Sequence, residues 1–106
     1  IIAFGNLDDP YDLAEVLEDV AVIAASTDPD QGLELLGGAD RLRADIGAAR
    51  PAAREAELAE ELSAARQGLG PEAAAAAVER GGSRDQAGVV ALALAVCAAH
   101  AGTTSA

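Results

Sequence analysis

The sequence predicts an all-α fold: antiparallel helical hairpins in a short α-solenoid of about five helices. Three observations carry this. Apolar residues recur three and four apart along most of the chain. Pro, Gly and capping residues divide it at helix-length intervals. No alternating β-branched run bounded by turn residues occurs.

The first segment opens at Asp9-Pro10-Tyr11-Asp12. Asp9 can cap free backbone N–H groups, Pro10 suits the first helical turn, and Asp12 favours the positive end of the helix dipole. Leu13, Val16, Leu17, Val20, Ile23 and Ala24 form its apolar stripe, and it should end near Ser26. The second opens at Asp28-Pro29-Asp30-Gln31, close to a capping box, and stops at Gly47. Its stripe is Leu35, Leu36, Ala39, Leu42 and Ile46. The short link between the two makes residues 10–47 a hairpin.

The third segment begins near Pro51 and carries Leu58, Leu62, Ala65 and Leu69 on one face, with Gly68 and Gly70 ending it. The fourth, from Pro71 to about Arg80, is mostly alanine. Alanine has high helix propensity but buries little area, so this helix should be weakly anchored. The fifth opens with a capping box at Ser83-Arg84-Asp85-Gln86 and continues as Val89 to Ala99, apolar on every face. Residues 51–100 are thus expected to cap the hairpin within a single helical domain over 1–106, and residues 102–106 to fray.

Composition bears on function by exclusion. The chain has 106 residues, 18 acidic against 7 basic, and a net charge of -11. All basic residues are Arg, 28 residues are Ala, and the aromatics are Phe4 and Tyr11. Such an acidic chain is a poor partner for phosphates, so no direct nucleic-acid contact is expected. Cys97 stands alone, which excludes a disulfide framework. The longest apolar run, Val89 to Ala99, is too short for a membrane span. The chain opens at Ile1 rather than Met and is read as a piece of something longer. Its Arg and Ala bias suggests a GC-rich bacterial genome.

Gly32, Leu36 and Ala39 run small, large, small at helical spacing, as in the second helix of a tetratricopeptide repeat. Residues Leu33 to Arg43 with Ile46-Gly47 resemble a longer segment. So do Pro51 to Glu55 continuing through Leu58, Leu62, Ala65 and Arg66 to Leu69-Gly70, then Glu72-Ala73 and Val90 to Leu94. Together, from about Leu13 to Leu94, they resemble the C-terminal end of the helical repeat region of actinobacterial LuxR/AfsR-type transcriptional regulators. These are multidomain proteins of the signal-transduction ATPase class. The resemblance implies a cytoplasmic, non-enzymatic regulatory module acting by protein–protein contact. The family has large aromatics where this chain has Ala74 and Val78, so the fourth helix should pack more loosely or against something else. No nucleotide-binding loop and no basic helix-turn-helix occur.

Catalytic, cofactor and metal sites are not expected. Cys97 and His100 share a helix face, but two ligands do not make a zinc site and the pair lacks an orienting third group. Asp28-Pro29-Asp30 falls short of a calcium loop. Gly81-Gly82-Ser83 reads as a turn between helices rather than an anion site. Two surfaces remain. Asp12, Glu15 and Asp19, with Asp8, form a candidate acidic docking face; residues 1–45 carry a net charge of -9 and residues 46–106 only -2. Val89, Leu92 and Val96 form a candidate self-association surface in a homo-oligomer, or a face packed on other domains of the parent. The alternative function is effector sensing through a small-ligand pocket.

Overall fold

A computed structural model describes the backbone of residues 9–104 and the side chains of residues 9–99. It is all-helical: α1 (Pro10–Ala25), α2 (Pro29–Ile46), α3 (Ala52–Glu61), α4 (Ser63–Leu69), α5 (Pro71–Gly82) and α6 (Gln86–Thr104), with no strand among the described residues.

Both leading helices start as their sequences dictate. The Asp9 carboxylate accepts from the Tyr11 N–H at 2.9 Å and the Asp28 carboxylate from the Gln31 N–H at 3.1 Å, each followed by Pro at the first position. Gly47 ends α2 in the left-handed conformation, φ 67°. Two starts and stops differ from expectation. Asp85, not Ser83, caps α6, accepting from the Gly88 N–H at 2.7 Å, while the Ser83 hydroxyl donates back to the Glu79 carbonyl at 3.0 Å. At the other end α6 continues through Thr104, past Gly102, where fraying was expected; residues 105 and 106 lie outside the described residues.

The third segment is two helices. It bends at Leu62 (φ -100°, ψ 2°), a fully buried residue. No breaker residue stands there, so the cause is tertiary. α3 packs on α1 whereas α4 packs on α2 and α5. The bend lets Leu58 and Ala65 be buried against different neighbours.

α2 is the centre of the fold, touching α1, α4, α5 and α6. Every residue from Gly32 to Ala39 is buried. Its glycines make this possible. A Cβ on Gly32 would sit 2.6 Å from the Ala25 Cβ on α1, and one on Gly38 2.7 Å from a Val89 methyl on α6. A Cβ on Gly37 would overlap the Val78 carbonyl on α5. Interior glycine costs a helix roughly 1 kcal/mol relative to alanine; here that cost is offset by backbone-close contact with three helices.

This corrects the expectation for the alanine-rich helix. α5 is closely packed on α2, with Ala74, Ala77 and Gly81 buried. Gly81 rests on the Glu34 carbonyl and Gly37 on Val78, so contact comes from close approach rather than from bulky side chains. Aromatics at Ala74 and Val78 are unnecessary in such an arrangement.

Candidate functional site

α1 turns one carboxylate inward. Glu18 lies four residues after Ala14 and three before Ala21, on the buried face, and is 0% exposed. Three guanidinium groups meet it. Arg43 of α2 donates Nε at 2.5 Å and Nη2 at 3.2 Å, Arg50 of the α2–α3 loop donates Nε at 2.7 Å, and Arg54 of α3 donates Nε at 3.2 Å. The outer N–H groups of these arginines reach Asp40 (2.7 Å), Glu55 (3.0 Å), Asp19 (2.6 Å) and Glu57. Arg43 also lies over the Tyr11 ring, 5.2 Å from its centroid.

A second inward carboxylate, Glu34 of α2, accepts from Arg80 Nε at 3.0 Å and from Arg84 Nε. Arg80 also bonds Asp30. Among the described residues, no buried side-chain nitrogen or oxygen lacks a partner. These clusters fasten α3 to α1 and α2, and α5 and the α5–α6 turn to α2. They are satisfied structural networks.

Burial pushes the Glu18 carboxyl up, but hydrogen bonds from Arg43 and Arg50 and their charges outweigh it and hold the group below its ordinary value. Glu34 is lowered in the same way, burial being outweighed by Arg84 and Arg80. Asp40 moves oppositely: desolvation and the nearby Glu55 and Glu18 carboxylates raise it against its bond from Arg50. A depressed carboxyl contributes stability that is present above its unfolded value and lost as pH falls through the folded one; a raised carboxyl does the reverse. Two depressed buried groups outweigh one half-exposed raised group. Chemical-denaturation stability should therefore hold above pH 4.5 and fall progressively below it. Circular dichroism on dilute samples checks this, since the isoelectric point is about 4.2.

The residues expected to form surfaces fall out differently. Glu15 and Asp19 are exposed and Asp12 is half-buried, but Asp19 is bound by Arg54, so the acidic face is partly neutralised from within the chain. Asp8 lies outside the described residues. Val89 and Val96 are not a surface: they are 3% and 4% exposed, on the side of α6 packed against the core, with Ala93 at 0%. Leu92 is half-buried against the same core. The face turned away is Ala87, Ala91, Leu94, Ala95 and Ala98, all exposed, spaced four, three, one and three apart. Leu94, the largest of them, is 47% exposed. This stripe escaped the sequence reading because a helix apolar all round has no polar side to mark its outside.

Cys97 is half-buried and burial pushes its thiol up, away from the thiolate a nucleophile needs. The His100 side chain lies outside the described residues. Among those described, no group of three or more His, Cys, Asp or Glu could hold a metal ion, and no helix is long and apolar enough to cross a membrane. Gly81 and Gly82 end α5 rather than forming a loop.

The described residues also form a cleft. It lies between the second half of α2 and the start of α6, with a volume of about 230 Å³. Leu17, Leu42 and Val89 line it, together with charged residues from α2 and the α5–α6 turn.

No protein-family model, curated protein or solved structure matches the chain.

Proposed function

We propose that the chain is a non-enzymatic helical interaction module that pairs with a second copy of itself through the outer face of α6. The observation that carries this is the charge-free stripe of Ala87, Ala91, Leu94, Ala95 and Ala98 on a protein of net charge -11. From Gln86 to Ala99 there is no charged residue. Six of the seven arginines are already in ion pairs within the chain, leaving Arg66 without one among the described residues. None of the arginines lies on α6, so its outer face carries no guanidinium to neutralise a partner's acids. Two copies avoid acid–acid repulsion most readily where both are neutral. Alanines around a central leucine also let two helices approach closely, with each Leu94 seated among the other copy's alanines, as in a two-fold symmetric contact.

The wider setting rests on the sequence resemblance. On that reading the module belongs to a tetratricopeptide-like region of an actinobacterial transcriptional regulator in the cytoplasm. It would act by presenting or masking a surface for itself or for other domains of the parent.

Light scattering tests the pairing. The wild-type chain should elute at twice its 10.5 kDa mass. Leu94→Glu should weaken pairing roughly 30-fold or more and elute as a monomer with unchanged helical circular dichroism. A monomeric wild type, or a Leu94→Glu dimer of undiminished affinity, contradicts the proposal. Leu92→Asp is a poorer probe, because Leu92 also touches the core.

A further inference from the structure

We propose that the cleft between α2 and the start of α6 is a binding site for a small apolar zwitterion of the free amino-acid class. The inference goes beyond pairing through α6 and does not depend on it.

The cleft joins an apolar floor to a balanced set of charges. Leu17, Leu42 and Val89 supply the floor. Gly38 lets Val89 come down onto α2, since any side chain there would strike the valine methyls. The rim carries Arg41 and Asp45, one turn apart on α2, and Arg84 and Asp85 from the α5–α6 turn.

Each charged group has capacity left. Arg41 spends Nε on Asp45 (3.1 and 3.2 Å) and Nη1 on the Gly82 carbonyl (2.9 Å), leaving Nη2. Arg84 spends Nε on Glu34, leaving both Nη groups. Asp85 uses Oδ1 to cap α6, leaving Oδ2. Asp45 faces a single Nε and keeps lone pairs on both oxygens.

A ligand with one charge would meet one matched pair and one like-charged pair. A zwitterion meets both: its carboxylate on the guanidinium donors, its ammonium on the aspartates, and its side chain on the floor. It also carries no net charge into a strongly acidic protein. The volume of about 230 Å³ is below the roughly 300–1,000 Å³ of drug-sized sites, which suits a ligand of under about a dozen heavy atoms.

The test is an NMR titration of isotope-labelled protein with L-leucine, following the amides of Gly38, Gly82 and Gly88. Two parallel titrations use 4-methylpentanoate, which lacks the ammonium, and 3-methylbutylamine, which lacks the carboxylate. Leucine should give saturable shifts in the micromolar-to-millimolar range, and each singly charged analogue should bind at least about tenfold more weakly. Arg41→Gln and Asp45→Asn, both at surface positions, should each weaken leucine binding at least about fivefold with circular dichroism unchanged. Absence of saturable leucine shifts, equal binding of either analogue, or indifference to both substitutions would overturn the proposal.

Discussion

Glu18→Ala should lower the stability of the fold by about 3–5 kcal/mol, the largest effect expected of any single surface-distant substitution in α1. The carboxylate is fully buried and bonded by Arg43, Arg50 and Arg54. Removing it strands Arg43, whose side chain is only 4% exposed and has no other carboxylate partner among the described residues, beside Arg50, which keeps Asp40 and Glu55. The loss is a consequence of the uncompensated Arg43 cation rather than a measure of what the intact network contributes. Since small domains have on the order of 5–15 kcal/mol of stability in total, the variant should unfold at much lower urea concentration. Its α3 amides should also lose hydrogen-exchange protection, because Arg50 and Arg54 are what tie that helix to α1 and α2. A variant as stable as wild type would mean that the cluster is solvated and incidental.

Gly81→Ala should cost about 3 kcal/mol or more for a different reason. The added methyl would fall within the Glu34 carbonyl oxygen and 3.0 Å from the Gly38 nitrogen. Neither is the end of a flexible side chain, so α5 must move away from α2 and the contacts of Ala74 and Ala77 go with it. Gly68→Ala makes the control. A Cβ there meets nothing within 4 Å, and the position is an exposed one within α4. Helix propensity alone should then make Gly68→Ala neutral or stabilising by up to about 1 kcal/mol. Thermal denaturation of the pair separates packing from propensity. Equal and small effects would show that α5 is not held by close approach.

The contrast between these glycines also marks how far the sequence was readable. Helix boundaries governed by local chemistry were plain: Asp9-Pro10, Asp28-Pro29 and the positive-φ stops at Gly47 and Gly70 act within a few residues of themselves. The bend at Leu62 was not, because nothing local requires it; it follows from α3 and α4 having different neighbours. Gly37-Gly38 in the middle of a helical run hinted at close backbone contact, but only the tertiary arrangement says with which helices. Glu18 left a usable trace, since it falls in register with Ala14, Leu17 and Ala21 on the apolar side of α1. Its partners come from 25 to 36 residues away, and no spacing rule connects them. The inside and outside of α6 could not be told apart in an unbroken apolar run. The valines assigned to a surface proved to be core, and the alanines with Leu94 proved to be the exposed face.

Isotope-filtered NMR on a mixture of labelled and unlabelled chains reads pairing through that face residue by residue. Intermolecular NOEs should run from the Leu94 methyls to Ala91, Ala95 and Ala98 of the other copy and vanish in Leu94→Glu. Intermolecular NOEs confined to other helices, or none at concentrations where light scattering reports a dimer, would contradict it.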